Sequence, residues 1–428
     1  MSRLALRRQV SFRRKREKGA LETTMPNNID QELLVEILKR LAVKLLVQCR
    51  CVSKSWYFLI SSPSFISAHT RYTLESNRST KFLLRHYNWN SKKENYTLHP
   101  DDDKKGNSFC ECQELAFPFK SYSQYFEIVG SCNGLLCLSD TYATNARTII
   151  LWNPTISKWM TLPMPNVNLD HAYMFVLGFG FDAKINDYKV VRIVYGMGDE
   201  GRKVVAAPKV ELYELGKNAW RNVNVSKSLR YVTSELSLQV FLNGAVHWIG
   251  YNPSGAYNDF GDLGLVLFDM SDEIFREQKL PESVVGLSVL DLSIGVSRQL
   301  LFLIQYNRKT HSQWIRYDSC CIWVMKEYSN VESWTKQFAV NLNGGIGKAL
   351  GLRKSGEIVL VASNGELVTY EVQSDNVHHL GIKGIVNSFY MDPYFESLVL
   401  LVGINGFSRQ PSSCNTATPS LVSPDYGV

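Results

Sequence analysis

The chain has 428 residues, room for two or three domains or for a small domain beside a large one, and its 45% hydrophobic, 12% aromatic and 20% charged content reads as soluble and globular. No apolar run approaches the roughly 18 residues of a membrane helix, which argues against a membrane partner. The net charge of +7 sits mostly in residues 1–24, where Arg3, Arg7, Arg8, Arg13, Arg14, Lys15, Arg16 and Lys18 outweigh Glu17 and Glu22; the near-neutral body has no basic face for nucleic acid.

Residues 1–24 read as a basic, disordered extension, either an import signal or dispensable ahead of Met25-Pro26. Residues 25–70 read as a small helical module. Leu33, Leu34, Ile37, Leu38 and Leu41 recur at helical spacing behind Asp30, a residue suited to capping a helix start, and Glu36 lies four residues before Arg40. A second helix is predicted from Val43, Leu46, Val47 and Cys51, and a third from Ser53 through Trp56, Leu59 and Ile60. Ser62-Pro63 stops the third and starts one further turn through Phe65 and Ile66. Three short helices bury little surface, so leucines left over from internal packing are candidates for a partner's groove.

Residues 71–107 read as a linker and a first strand, Lys81–Arg85, followed by a polar stretch in which Asp101-Asp-Asp103 is a solvated loop. A repeat then dominates the chain. Trp152 and Trp159 are seven apart, as are Tyr213 and Trp220, Phe268 and Phe275, and Tyr370 and Val377, while Trp323 and Trp334 make a looser pair. Turn residues separate the members of each seven-spaced pair, so a hairpin sets the two bulky side chains opposite each other on one face. Asn133-Gly134, Asn243-Gly244 and Ser355-Gly356 mark an earlier hairpin in several repeats. Two hairpins per ~50 residues predict four-stranded blades of a β-propeller, five counted directly and a sixth from residues 81–130 closed by a strand such as Leu398–Val402. The fold class is therefore α+β and multidomain, with three N-terminal helices ahead of an all-β propeller of five or six degenerate blades over 108–407. Residues 408–428, rich in Ser, Pro, Thr and Asn, read as a disordered tail.

The run Glu32-Leu-Leu-Val-Glu-Ile-Leu-Lys-Arg-Leu41, with Val43-Lys44 and Cys49-Arg-Cys-Val-Ser-Lys-Ser-Trp56, closely resembles the F-box of plant F-box proteins. Two family prolines are replaced, by Asp30 and Ala42, and Ala42 is expected to let the first helix run on. Ser131–Cys137, Leu151–Pro154 with Trp159, Gly178–Ile193 and Asn243–Trp248 resemble, in that order, the family's F-box-associated, kelch-like region. The resemblance implies the substrate receptor of an SCF-type ubiquitin ligase. It implies a Skp-type adaptor as partner, with a cullin and a RING subunit behind it and a target protein on the propeller. The adaptor-binding residues it implies are Ile29, Leu33, Leu34, Ile37, Leu38, Leu41, Val43, Leu46 and Val52. The alternative is a propeller scaffold or carbohydrate-binding module with a non-docking F-box.

No nucleophile elbow, His-Glu-x-x-His or phosphate loop occurs, so an enzyme is not expected, nor a cofactor. His247, beside Trp248 in an apolar strand, reads as a hydrogen-bonded core residue. Nine cysteines form neither a Cys-x-x-Cys pair nor a disulfide framework, and Cys110-Glu-Cys112 is too tight for zinc; a reducing cytoplasm or nucleus fits. For the target, Tyr251, Tyr257 and Phe260 in the turn-rich loop 251–262 are the candidate anchors.

Overall fold

The computed structural model describes residues 30–76, 81–101, 109, 112–119, 121, 125–142, 145–167, 172–196, 208–225, 229–233, 238–253, 262–284, 286–308 and 317–401. The expected extension (1–24), Asp102-Asp103, Cys110 and the 408–428 tail lie outside them.

Four helices come first: α1 (Gln31–Leu38), α2 (Val43–Cys49), α3 (Lys54–Ser61) and α4 (Pro63–Ser76). Asp30 accepts from the Glu32 amide at 3.1 Å, Ser53 from the Trp56 amide at 3.2 Å and Ser62 from the Phe65 amide at 3.2 Å, each satisfying a first-turn donor that the helix leaves unpaired. Two expectations are corrected. α1 ends at Leu38 and does not run on, because Ala42 adopts φ −62° and ψ 147° as the extended N-cap of α2, the backbone that a proline would take. α4 is not one turn but 14 residues long, reaching into the stretch read as linker. Its sequence has little amphipathic character, and tertiary contacts hold it: Phe65 and His69 are buried, and His69 Nε2 bonds the Leu41 carbonyl at 3.1 Å.

From Lys81 onward the described chain forms antiparallel units four strands wide. Unit 1 has β1 (Lys81–Asn88), β2 (Lys93–Pro100) and β3 (Gln113–Leu115). Unit 2 has β4 (Glu127–Cys132), β5 (Leu135–Tyr142), β6 (Asn145–Asn153) and β7 (Lys158–Thr161). Unit 3 has β8 (Ala172–Asp182), β9 (Asp187–Gly196), β10 (Lys209–Glu214) and β11 (Ala219–Val223). In unit 4, β12 (Val232–Thr233) and β13 (Val240–Leu242) share one edge of β14 (Ala245–Tyr251), with β15 (Leu263–Asp269) and β16 (Phe275–Lys279) beyond. A seven-stranded sheet follows: β17 (Leu292–Ser297), β18 (Leu300–Arg308), β19 (Tyr317–Met325), β20 (Trp334–Leu352), β21 (Ile358–Ala362), β22 (Glu366–Glu371) and β23 (Asn376–Lys383). It comprises units 5 and 6, because the first half of β20 pairs with β19 and its second half, past register shifts at Ile346 and Ala349, pairs with β21.

β24 (Tyr390–Tyr394) closes the ring, pairing with β1 from Lys81↔Tyr394 to Arg85↔Tyr390. The closing strand is thus not Leu398–Val402 as expected. After Tyr394 the backbone leaves the sheet, and the carbonyls of Ser397 and Val399 accept from Asn153 Nδ2 at 3.0 and 2.8 Å instead of from a neighbouring strand. Packing confirms six units. Six apolar clusters occupy the six successive gaps, between units 1 and 2, 2 and 3, and onward to 6 and 1, so every sheet buries both faces against its neighbours. This is a six-bladed β-propeller.

The bulky pairs fall where the spacing puts them. Trp152↔Trp159, Tyr213↔Trp220, Phe268↔Phe275 and Tyr370↔Val377 are direct cross-strand partners. The looser pair is not: a bulge between Ile322 and Trp323 sets Trp323 opposite Lys336, and Trp334 opposite Met325. Asn133-Gly134 and Asn243-Gly244 both have φ positive at each position, as a type I′ turn requires. Gly178 is required by the blade behind it, since a Cβ there would collide with the fully buried Trp248 ring, whose Nε1 donates to the Leu177 carbonyl at 3.1 Å.

Burial lowers the His86 and His247 imidazoles from 6.5 to about 4, and lowers His69 and His99 as well. The unfolded chain therefore binds these protons below about pH 6.5 while the folded chain excludes them, so their contribution is complete above that pH and is lost as pH falls toward about 4. Asp392, raised to about 7 by burial, and Glu94 and Asp187, whose carboxyls burial also raises, act in the opposite sense, while the lowered carboxyls of Asp182, Glu214 and Glu273 act with the histidines. The urea midpoint is expected to fall steadily between about pH 6.5 and 5, with a limit near 3 kcal/mol for each of His86 and His247; a flat or rising midpoint over that window would contradict the burial of neutral imidazoles.

Candidate docking surfaces

The helical module does not close its own core. Leu34, Leu38, Val43, Leu46, Ile60 and Phe65 pack together, and Leu398 and Leu401, from the segment after β24, complete the cluster, with Ile156 of the β6–β7 turn alongside. Across the seam Ser67 Oγ of α4 donates to Asn186 Oδ1 at 3.1 Å, and the segment around the end of β24 is itself held on the ring, Tyr394 OH lying 2.8 Å from Thr155 Oγ1 and Lys81 pairing with Glu396 at 3.0 Å.

This packing sorts the nine candidate adaptor residues. Leu34, Leu38, Val43 and Leu46 are buried, so they fill the module's core rather than a partner's groove. Leu41 is half-buried against that core, and Ile29 lies outside the described residues. Leu33 (54% exposed), Ile37 (47%) and Val52 (66%) do present apolar surface to solvent. Leu33 and Ile37 are four apart, one turn along α1, on the side away from Leu34 and Leu38. Sequence reasoning passed over three others. Leu45 on α2 and Tyr57 and Phe58 on α3 are also exposed, Phe58 at 69%, and Tyr57 is braced by the Arg50 guanidinium 4.5 Å from its ring centroid. Helical periodicity marks which residues are apolar but not which side of a three-helix cluster the propeller covers.

A second surface follows from strand alternation. Turns after the first and third strands of each unit share one face of the ring, and turns after the second and fourth share the other. The first set includes Asn133-Gly134, the 183–186 turn and the β6–β7 turn, which border the helices. The loops after β14 and after β1 therefore lie on the far face. Of the three loop candidates there, Tyr257 and Phe260 lie outside the described residues. Tyr251 is corrected: it ends β14 opposite Leu263 and is half-buried against two apolar clusters, so it packs within the ring. The neck of its loop is pinned, Asn252 N donating to the Asp262 carbonyl at 3.0 Å and Tyr231 OH to its carboxylate at 3.2 Å.

Trp89, unremarked in the sequence, is the exposed aromatic of the β1–β2 turn on that far face, where Met164 after β7 is exposed too. Trp89 is 61% exposed at its turn, where Asn88 Oδ1 accepts from the Asn90 and Ser91 amides at 3.0 and 3.1 Å. The side-chain-bonded turn fixes the backbone that carries it. Its signal was a tryptophan between Asn88 and Asn90, among turn residues, with no cross-strand partner at the repeat spacing.

Residues 27–67 match the family model of the F-box domain, and residues 80–424 match that of the F-box associated beta propeller domain. The chain belongs to the F-box proteins. Relatives in Arabidopsis thaliana include the F-box protein CPR1, 27% identical over 87% of this chain and 89% of that one, and an F-box/kelch-repeat protein, 26% identical over 84% and 92%. Among solved structures, TolB from Acinetobacter baumannii aligns with a TM-score of 0.42 at 8% identity over 73% of this chain and 66% of that one.

In this F-box protein no group of three or more potential metal ligands occurs among the described residues. His247 is fully buried in β14 and bonds the Tyr328 hydroxyl at 2.9 Å, while His378 and His379 are exposed on β23. The F-box core and the far-face anchor differ in what truncation does to folding. Leu398→Ala should destabilise the protein by about 2–5 kcal/mol through the F-box core, and Trp89→Ala by no more than about 0.5 kcal/mol. Urea denaturation of both variants checks this; a near-neutral Leu398→Ala would show that the F-box packs without the end of the propeller.

Proposed function

We propose that this protein is the substrate-recognition subunit of an SCF-type ubiquitin ligase, acting in the cytoplasm or nucleus. Its F-box docks a Skp-type adaptor, through which a cullin and a RING subunit join, and its propeller holds the target protein. The observation that carries the reading is the group of large apolar side chains, Leu33, Ile37, Leu45, Val52, Tyr57 and Phe58, left in solvent on the matched F-box while the other large apolar side chains described in that module are buried or half-buried. Exposed apolar surface on so small a module is the kind of surface that a partner covers.

The geometry supports a division of labour. The F-box is fixed to one face of the ring by a shared core, and Trp89 stands on the other face in a turn of the kind that presents binding residues on a rigid scaffold. A target held there is kept at a set distance from whatever the F-box recruits. The protein then contributes proximity: ubiquitin transfer to a target lysine becomes effectively intramolecular without any catalytic side chain from this chain.

The test separates docking from folding. Leu34 is unsuitable for substitution because it is buried, whereas Leu33 and Ile37 are exposed. In a quantitative binding assay with a purified plant Skp-type adaptor, the full chain should bind at micromolar affinity or better. Leu33→Asp with Ile37→Asp should weaken it by about tenfold or more while leaving the urea midpoint nearly unchanged. Undiminished binding by the double variant, or no binding by the unaltered chain, would refute the docking assignment.

A further inference from the structure

A cavity lies between the end of α4 and the mouth of the propeller channel, on the face away from Trp89. It encloses about 740 Å³, within the range of sites that hold small organic molecules. Leu74 and Glu75, near the end of α4, form its rim on the F-box side. The opposite rim is built from the first turns of units 2, 4, 5 and 6, which bring Asn133, Asn243, Arg298 and Lys354 around one opening. The walls are apolar, from Phe82, Leu242, Val296, Leu352 and Phe395, and the floor is Asp392 with Ser131. Below Asp392 the cavity continues into a narrower part of the channel, of about 70 Å³.

Asp392 is the distinctive group. It lies on β24, the innermost strand of unit 1, and its carboxyl receives hydrogen bonds from the side chains of Ser131 and Tyr390, both neutral donors. Burial raises it to about 7, so near neutrality the carboxyl is poised between its two states. Burial and these two neutral donors are what act on the Asp392 carboxyl, with no cation among them. Arg298 is turned to the Lys354 carbonyl at 2.8 Å, and Asp101 accepts from the Lys354 backbone amide at 2.8 Å. Lys348, in the channel below, donates to the Phe389 carbonyl at 2.8 Å. Glu75 and Asp101 at the rim are acidic, and the nearby Cys132 thiol is pushed up by burial and by Asp392.

We propose that this cavity binds an amphipathic organic cation, its ammonium head paired with Asp392 and its apolar body lying along the inner turns of the propeller. A cation at Asp392 supplies the opposite charge that the fold leaves out, and the apolar walls exclude a purely polar ion. Since Leu74 and Glu75 belong to α4, a helix that begins in the F-box, the bound molecule would touch the helical segment and the propeller at once and tie them together.

Phenethylamine is a suitable probe, with 2-phenylethanol and phenylacetate as neutral and anionic controls of the same body. Calorimetric titration and melting of the full chain should show saturable binding of phenethylamine that is about tenfold tighter at about pH 8 than at about pH 6, following the ionised fraction of Asp392. Neither control should share that dependence. Asp392→Asn should remove both the preference for the amine and its pH dependence, and Val296→Trp, which fills the cavity without touching the carboxyl, should abolish binding. Equal binding of the three probes, amine binding that survives both substitutions, or no saturable amine binding up to about 10 mM, a limit near 3 kcal/mol of affinity, would overturn the proposal.

Discussion

The pairing of β24 with β1 is the constraint on which the remaining structure depends. It joins residues 81–85 to residues 390–394, so the ring closes by hydrogen bonds rather than by chain connectivity, and the first unit receives its innermost strand from the far end of the chain. It also fixes where the chain goes next. Released from the sheet at Tyr394, the backbone is caught by the Asn153 amide, and Leu398 and Leu401 are delivered into the helical core. One strand thus closes the propeller and completes the F-box.

That arrangement explains how a module of four helices is seated on a ring of sheets. The F-box has too few residues to bury its leucines alone, and the propeller lends it two. A core shared in this way makes the two parts one mechanical body at the seam, with the 183–186 turn and Ile156 bracing α4 and the helical cluster. The leucines that face away from the seam remain in solvent. The exposed set is therefore selected by geometry, not by hydrophobicity: Leu33 and Leu34 are identical in chemistry, adjacent in sequence and opposite in fate.

Much of the ring was legible in the sequence because a hairpin converts spacing into contact. Residues seven apart around a four-residue turn are obliged to face each other, and four such pairs do. Where the turn lengthened and the strand bulged, as between Trp323 and Trp334, the rule failed. The closing strand was not legible because Tyr390–Tyr394 carries a proline and an aspartate, unlike an inner strand, and its pairing partner is some 300 residues away. For the docking surface, periodicity found the apolar stripe of α1 but could not divide it, because the covering residues come from the far end of the chain. Trp89 went unread for the opposite reason: it belongs to no repeat.

In the proposed role the F-box side of the ring meets the adaptor and the opposite face meets the target. Hydrogen exchange of the full chain, with and without a purified Skp-type adaptor, tests it most directly. The account predicts slowed exchange in α1, α2 and α3, with no change at residues 88–93 on the far face. Protection at residues 88–93, or none in the helices under conditions where the complex forms, would contradict it.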